Sequence, residues 1–212
     1  MTLYIPPPFR VEDAVELAAF VERNAFGTVV CAGPAGLEVS HVPFLLEHSE
    51  SGLSLLFHLA RANPQGKSLA GASEVLAIFE GPHAYVSPGW YEHHPAVPTW
   101  NYAVVHARGP VEAMDEAQLR SLLGRLSEVY ESGRPKPWRM SDLPEDYTQG
   151  MLRALAGFTM RVERLEGKFK LSQNRPGRDA ERVADALSAE GQTALAELMR
   201  AHPPAAKGKI PS

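Results

Sequence analysis

A single cysteine, Cys31, occurs in the 212 residues. Without a second thiol there is no intrachain disulfide and no multi-cysteine metal site, and its place in the apolar run 26–32 predicts a buried structural thiol. Long apolar runs are missing as well. No window approaches the ~18 consecutive apolar residues needed to span a bilayer, because His, Glu or Arg interrupts each one. Residues 1–10 carry prolines in place of a basic region followed by an apolar stretch, so no signal peptide is expected and the protein is predicted to be cytoplasmic and off the membrane.

Neither sign of charge dominates: 21 Lys and Arg against 25 Asp and Glu leave a formal net charge of −4. Such a chain sets up no global field that draws in a phosphate backbone, so direct DNA binding would have to rest on a local basic patch or a partner. The two helical stretches near the carboxy terminus set Glu181, Asp185, Glu190 and Glu197 beside Arg182 and Arg200, which is less basic than a DNA-reading helix requires. G-x-S-x-G, the P-loop and a G-x-G-x-x-G after a strand are all absent, removing the commonest sequence handles for serine hydrolases, nucleoside triphosphatases and Rossmann dehydrogenases. No catalytic residue is predicted.

What is present belongs to an ordinary folded chain: 44% hydrophobic, 22% charged and 8% aromatic residues, enough for a proper core. One domain over 1–200 and a flexible tail over 201–212 are expected, the tail being short of residues that need to bury. Helical spacing runs over 11–24, and β-branched or alternating runs follow at 26–32 and 37–46, joined by the turn 33–36. Further strands are expected at 53–58, 74–79 and 83–87, the last two separated at Gly81-Pro82. A long strand over 99–114 bends at Gly109-Pro110, and a strand or hairpin over 157–171 kinks at Gly167. Helices are expected at 64–70, 115–131 with Asp115 as cap, 143–154, 180–189 and 191–200. Strands interspersed with short helices, without strict alternation, indicate an α+β fold built on a mainly antiparallel barrel decorated with helices.

Three segments concentrate chemistry. His58-Leu59-Ala60-Arg61-Ala62-Asn63-Pro64-Gln65-Gly66-Lys67 places a guanidinium, an amide and an ammonium around a helix start, where a phosphate fits as well as a solvated surface turn does. Pro98-Thr99-Trp100-Asn101-Tyr102 opens the long strand with groups able to pack against a planar heterocycle, or simply to fill a core. Lys168-Phe169-Lys170-Leu171-Ser172-Gln173-Asn174-Arg175-Pro176 ends a strand in donors and acceptors, as either a polar exit loop or part of a ligand site. His83, His93 and His94 match no zinc spacing and have no acidic partner completing a ligand set in their loop, so no metal is predicted. His41, His58 and His106 fall on expected strands and read as core or core-edge histidines.

These segments, taken in order with Leu3-Tyr4-Ile5-Pro6 and Gly81-Pro82-His83-Ala84-Tyr85-Val86-Ser87-Pro88, resemble the PaiB-type family of FMN-binding negative transcriptional regulators, over residues 3 to about 187. Five separated motifs in one order are far more specific than any one alone. The resemblance implies an FMN-binding split barrel related to the pyridoxamine-phosphate oxidase fold, forming a homodimer with two flavin sites made from both subunits. It implies Arg61, Asn63 and Lys67 for the flavin phosphate, with Trp100, Asn101, Tyr102, Ser172, Gln173 and Arg175 around the rest of the cofactor. Two departures stand out: Gly66 replaces the bulky aromatic that relatives tend to carry after Pro64-Gln65, and the loop with His93 and His94 is shorter. A regulator or redox sensor is the first expectation, with an NAD(P)H-using flavin oxidoreductase and a haem-binding or haem-degrading protein as alternatives.

Overall fold

Alternation of apolar and polar side chains lays down most of the strands in the computed structural model, which describes residues 3–50 and 52–204. After a 3₁₀ turn at Pro7–Phe9 come β1 (Arg10–Val11), α1 (Ala14–Arg23), β2 (Phe26–Gly33), β3 (Gly36–Pro43), β4 (Leu45–Ser49), β5 (Gly52–Ala60) and α2 (Gln65–Leu69). The chain continues through β6 (Val75–Val86), β7 (Thr99–Gly109), β8 (Val111–Ala113), α3 (Glu116–Glu131), α4 (Glu145–Ala154), β9 (Leu155–Arg161), β10 (Arg164–Lys170), α5 (Gly177–Ala189) and α6 (Thr193–Ala201). The strands form two antiparallel sheets, ordered β1-β10-β7-β6-β2-β3 and β4-β5-β9-β8. The α+β class is the one expected. Of the tail expected from residue 201, residues 205–212 lie outside the described residues, while Ala201 closes α6.

Where the sequence reads one strand, the structure often has two, because the chain changes sheet. The run 37–46 divides at Phe44, β3 joining the six-stranded sheet and β4 the four-stranded one. The run 99–114 divides at Pro110 in the same way, and 157–171 divides at Val162 and Glu163 rather than at Gly167. Gly167 lies in register with Val11, and its missing side chain is filled by Leu17, whose Cδ2 would lie 2.2 Å from an added Cβ. Conversely, Gly81-Pro82 does not break β6. The register with β2 covers Leu76 to Ile78, so Pro82 falls beyond that ladder, where a proline is tolerated.

The described chain divides into two compact units, one of residues 18–79 and 106–165, the other of residues 3–17, 80–105 and 166–204. The first is centred on phenylalanines: Phe44 meets Phe57 at 5.0 Å and Phe79 at 5.1 Å between ring centroids, and Phe57 stacks on Phe158 at 5.5 Å. Outside this layer Leu56 packs with Leu122 and Leu126 of α3. That helix begins with a reciprocal cap, Asp115 accepting from the Gln118 amide while the Gln118 side chain accepts from the Asp115 amide. The second unit buries Phe169, Leu171, Val183, Leu187 and Leu195 completely.

Candidate functional site

On β7 the side chains divide strictly by parity. Asn101, Ala103, Val105 and Ala107 are buried, while Trp100 is 54% exposed and Tyr102 and Val104 are only partly covered. Trp100 meets two side chains of β6, His83 at 6.5 Å and Tyr85 at 6.1 Å between ring centroids, the latter edge-on. These rings border an open hollow of about 380 Å³ lined by Glu80, Gly81, His83, Trp100, Tyr102, Ala103 and Val104. That volume lies at the small end of ligand pockets, and its lining includes the rings of His83, Trp100 and Tyr102. Large exposed rings on a sheet face mark a surface built to be covered.

Positive charge borders the same face. Lys168 lies 5.5 Å from the centre of the Tyr102 ring and 5.4 Å from that of Tyr4. Lys170 donates to the Thr99 hydroxyl and to the carbonyl of Trp100, the latter at 2.6 Å. Burial, then the charges of Lys168 and Arg175, hold the Lys170 ammonium below its usual range. Arg175 stacks its guanidinium 4.4 Å from the centre of the buried Tyr91 ring.

Asn101 and Ser172 sit on the other side of this surface. Asn101 is 1% exposed, and its amide donates to the Ser172 hydroxyl at 2.9 Å and to Met199 Sδ at 3.4 Å. Gln173 folds back on its own loop, its carbonyl accepting from the Leu171 amide and its Nε2 donating to the Phe169 carbonyl. Of the six residues expected around the flavin ring, Trp100 and Tyr102 reach the hollow. Asn101, Ser172 and Gln173 hold the strand and loop that present them, and Arg175 borders the loop at Tyr91.

Arg61, Asn63 and Lys67 belong to the other unit, Arg61 and Asn63 in the turn between β5 and α2 and Lys67 on α2. The Arg61 guanidinium donates through Nε to the Arg153 carbonyl at 2.8 Å and through Nη2 to the Leu155 carbonyl at 2.6 Å. Asn63 receives the Gln65 amide on its side-chain oxygen and donates to Ser40 Oγ at 3.0 Å, so the capping group expected before this helix is in place. Gln65 is buried and ties the turn down by donating to the carbonyls of Val29 and Glu38. Lys67 is exposed.

The loop ahead of β7 is held by one carboxylate. Asp179, completely buried on α5, accepts from the amides of Glu92 and His93 and lies 3.2 Å from His93 Nδ1. Burial opposes its ionisation, but these hydrogen bonds outweigh burial and hold its pKa below the usual carboxylate range. Arg178 and Arg182 add ion pairs to Glu92, and Arg182 donates to the Trp90 carbonyl. Among the described residues no group of three His, Cys, Asp or Glu side chains is arranged to hold a metal ion. No described helix is long and apolar enough to cross a membrane.

His83, Tyr85, Lys168 and Lys170 are not among the residues expected at the flavin, although the two lysines fall in a segment the sequence marks as part of a ligand site or a polar exit loop. The signal was there in the parity of the strands, since Trp100 shares its face with partners two residues apart on β6 and β10.

Residues 3–164 match the family model described as "Putative FMN-binding domain". The chain is 34% identical over 200 residues to the Bacillus subtilis "Protease synthase and sporulation protein PAI 2", covering 93% of this chain and 96% of that one. Among solved structures, an FAD and heme binding protein from Mycobacterium smegmatis superposes with a TM-score of 0.59 at 16% identity, over 76% of this chain and 73% of the other. The flavocytochrome Anf3 from Azotobacter vinelandii does so with a TM-score of 0.57 at 16% identity, over 76% and 69%. At such identities the two likenesses concern the fold, and they bear out the split-barrel architecture.

Proposed function

The chain belongs to the FMN-binding domain family as an FMN-binding protein of the PaiB type, and from that premise we propose a cytoplasmic redox sensor and regulator, a homodimer whose state follows that of its flavin. The observation that carries this reading is the open hollow at Trp100, lined by the rings of His83, Trp100 and Tyr102. FMN combines a planar heterocycle with a phosphate. Trp100 and Tyr102 suit the first, and the nearby cations suit an anion, so the residues present fit the group. When bound, FMN supplies hydride or one-electron chemistry. The protein's part is to hold the ring against Trp100 and Tyr102, to exclude water from one face, and to couple that face to a second copy of the chain.

A hollow of about 380 Å³ covers a ring system on one side only, and a second subunit laid on the exposed Trp100 and Tyr85 would cover the other. The test is an FMN titration of purified protein followed by absorbance, alongside Trp100→Ala, with the mass determined in solution and NAD(P)H then added. Saturable binding by a dimer, weakened in the variant and without steady NAD(P)H consumption, is the expected result. Sustained consumption would replace the sensor by an oxidoreductase. A Soret band on haem addition with no FMN binding would replace the flavin reading altogether.

A further inference from the structure

The amine of Lys170 stands at the edge of the ring-bearing face and meets two neutral oxygens of β7. It donates to the Thr99 hydroxyl and to the Trp100 carbonyl. Lys168, two positions away on the same face of β10, lies beside the Tyr102 ring, and Arg175 is the other cation whose charge acts on Lys170. Glu166 shares that face, but it stands four positions from Lys170, roughly 13 Å along the strand, with Lys168 between them. Glu80 lines the hollow from β6, on the far side of β7.

An ammonium offers three N–H donors, whereas a neutral amine offers two and a lone pair. Two accepting oxygens therefore satisfy the neutral amine completely and leave its lone pair unspent. Burial disfavours the charged form, the charges of Lys168 and Arg175 disfavour it further, and the Lys170 ammonium is held below its usual range. A lysine desolvated beside other cations is a nucleophile toward carbonyl carbon. Lys67 and Lys136, by contrast, are exposed to solvent. The neighbourhood also selects the carbonyl compound: Trp100 and Tyr102 line the hollow together with Ala103 and Val104, and a flat conjugated group packs against such rings better than an aliphatic one.

We propose that Lys170 is a reactive amine that captures a planar aldehyde, laid against Trp100 and Tyr102, as a reversible imine. In this step the Lys170 nitrogen bonds to the carbonyl carbon, the carbonyl oxygen leaves as water with both amine protons, and nothing is oxidised or reduced. The hydrogen bonds to Thr99 and to the Trp100 carbonyl are given up as the imine forms and return when water hydrolyses it. This activity goes beyond the flavin reading and does not depend on it.

The test incubates the purified protein with benzaldehyde and cyanoborohydride at neutral pH, with and without FMN, and locates the trapped adducts by peptide mass spectrometry. In at least one of the two flavin states, Lys170 is expected to be labelled about 5-fold or more faster than Lys67 and Lys136. Propanal, which has no ring to stack, should show a smaller preference for Lys170. Lys168→Gln removes a like charge and should slow Lys170 labelling about 3-fold or more, while Lys168→Arg leaves it near the wild-type rate. Labelling of Lys170 no faster than that of Lys67 and Lys136 in both flavin states overturns the proposal. An unchanged rate in Lys168→Gln, or equal preferences for propanal and benzaldehyde, overturns it as well. Circular dichroism checks the fold of both variants, and the wild-type adduct map decides alone if neither folds. FMN titration of the wild type reports on the flavin reading separately.

Discussion

The side-chain amide of Asn101 donates to the hydroxyl of Ser172 across 71 positions of sequence, and Ser172 makes that contact with a backbone φ of 69°. A left-handed serine is strained by roughly 1 kcal/mol, and both residues are nearly inaccessible to water.

Replacing Ser172 by Ala removes the acceptor, keeps the strain, and leaves a buried amide short of a partner, a loss of about 1–3 kcal/mol. Ser172→Gly loses the same hydrogen bond but relieves the strain, so it should cost less. In thermal unfolding the Ala variant is expected to melt lower than the Gly variant, with about 2–4 °C for each kcal/mol in a chain of this size.

Two glycines should respond in opposite ways to alanine. A Cβ on Gly109 would lie 1.8 Å from the carbonyl oxygen of Arg161, which is main chain and cannot swing aside, whereas a Cβ on Gly177 meets nothing within 4 Å. Gly109→Ala is expected to cost more than about 3 kcal/mol or to prevent folding. Gly177→Ala, at the start of α5, should be neutral or stabilising by up to about 1 kcal/mol. Urea unfolding of the two variants checks both.

Acid should loosen the loop ahead of β7. The Asp179 carboxyl titrates below its usual range in the folded state, so its contribution to stability is complete above the unfolded value of about 3.9 and is lost as pH falls through the lower folded value. Asp179→Asn removes the charge, so that only a neutral amide oxygen is left to accept from the Glu92 and His93 amides. The variant is expected to melt several degrees lower at neutral pH, with the gap to wild type closing below about pH 4. Melting curves across the acid range decide it.

His58 acts in a higher pH window. Burial holds its imidazole below the usual range, and Nδ1 has no hydrogen-bond partner. The unfolded chain therefore binds a proton that the folded chain refuses. Stability from this group is complete above about pH 6.5 and falls as pH drops through that value. His58→Leu should flatten the dependence between about pH 5 and 7 relative to wild type; an unchanged slope would show that another group sets it.

Local chemistry was legible in the sequence wherever it acts over a few residues. Asp115 caps α3, Asn63 receives the Gln65 amide, and the turn between Gly33 and Gly36 joins β2 to β3 as the expected hairpin. What one strand period cannot reveal is sheet membership. Alternation continues through Phe44 and through Gly109-Pro110, while the hydrogen-bonding partners change there from one sheet to the other. The site followed the same rule. Trp100, Asn101 and Tyr102 stand together in sequence, yet the strand period turns Asn101 inward to Ser172 and the two rings outward. Nor does the sequence tell that Arg153 and Leu155, more than 90 positions on, offer Arg61 their carbonyls and so fix its guanidinium beside α2.

The parity of β7 also constrains how this chain can change its length. One residue inserted or deleted within the strand would exchange the two faces from that point on, bringing an indole to the place of a buried amide and an amide to the place of a ring. Insertions can therefore accumulate in the loop before Thr99, where they lengthen a rim, but inside the strand only paired changes preserve the alternation. The hollow beside Trp100 is in that sense a matter of counting, and relatives of different length should differ on either side of β7 and keep its length fixed.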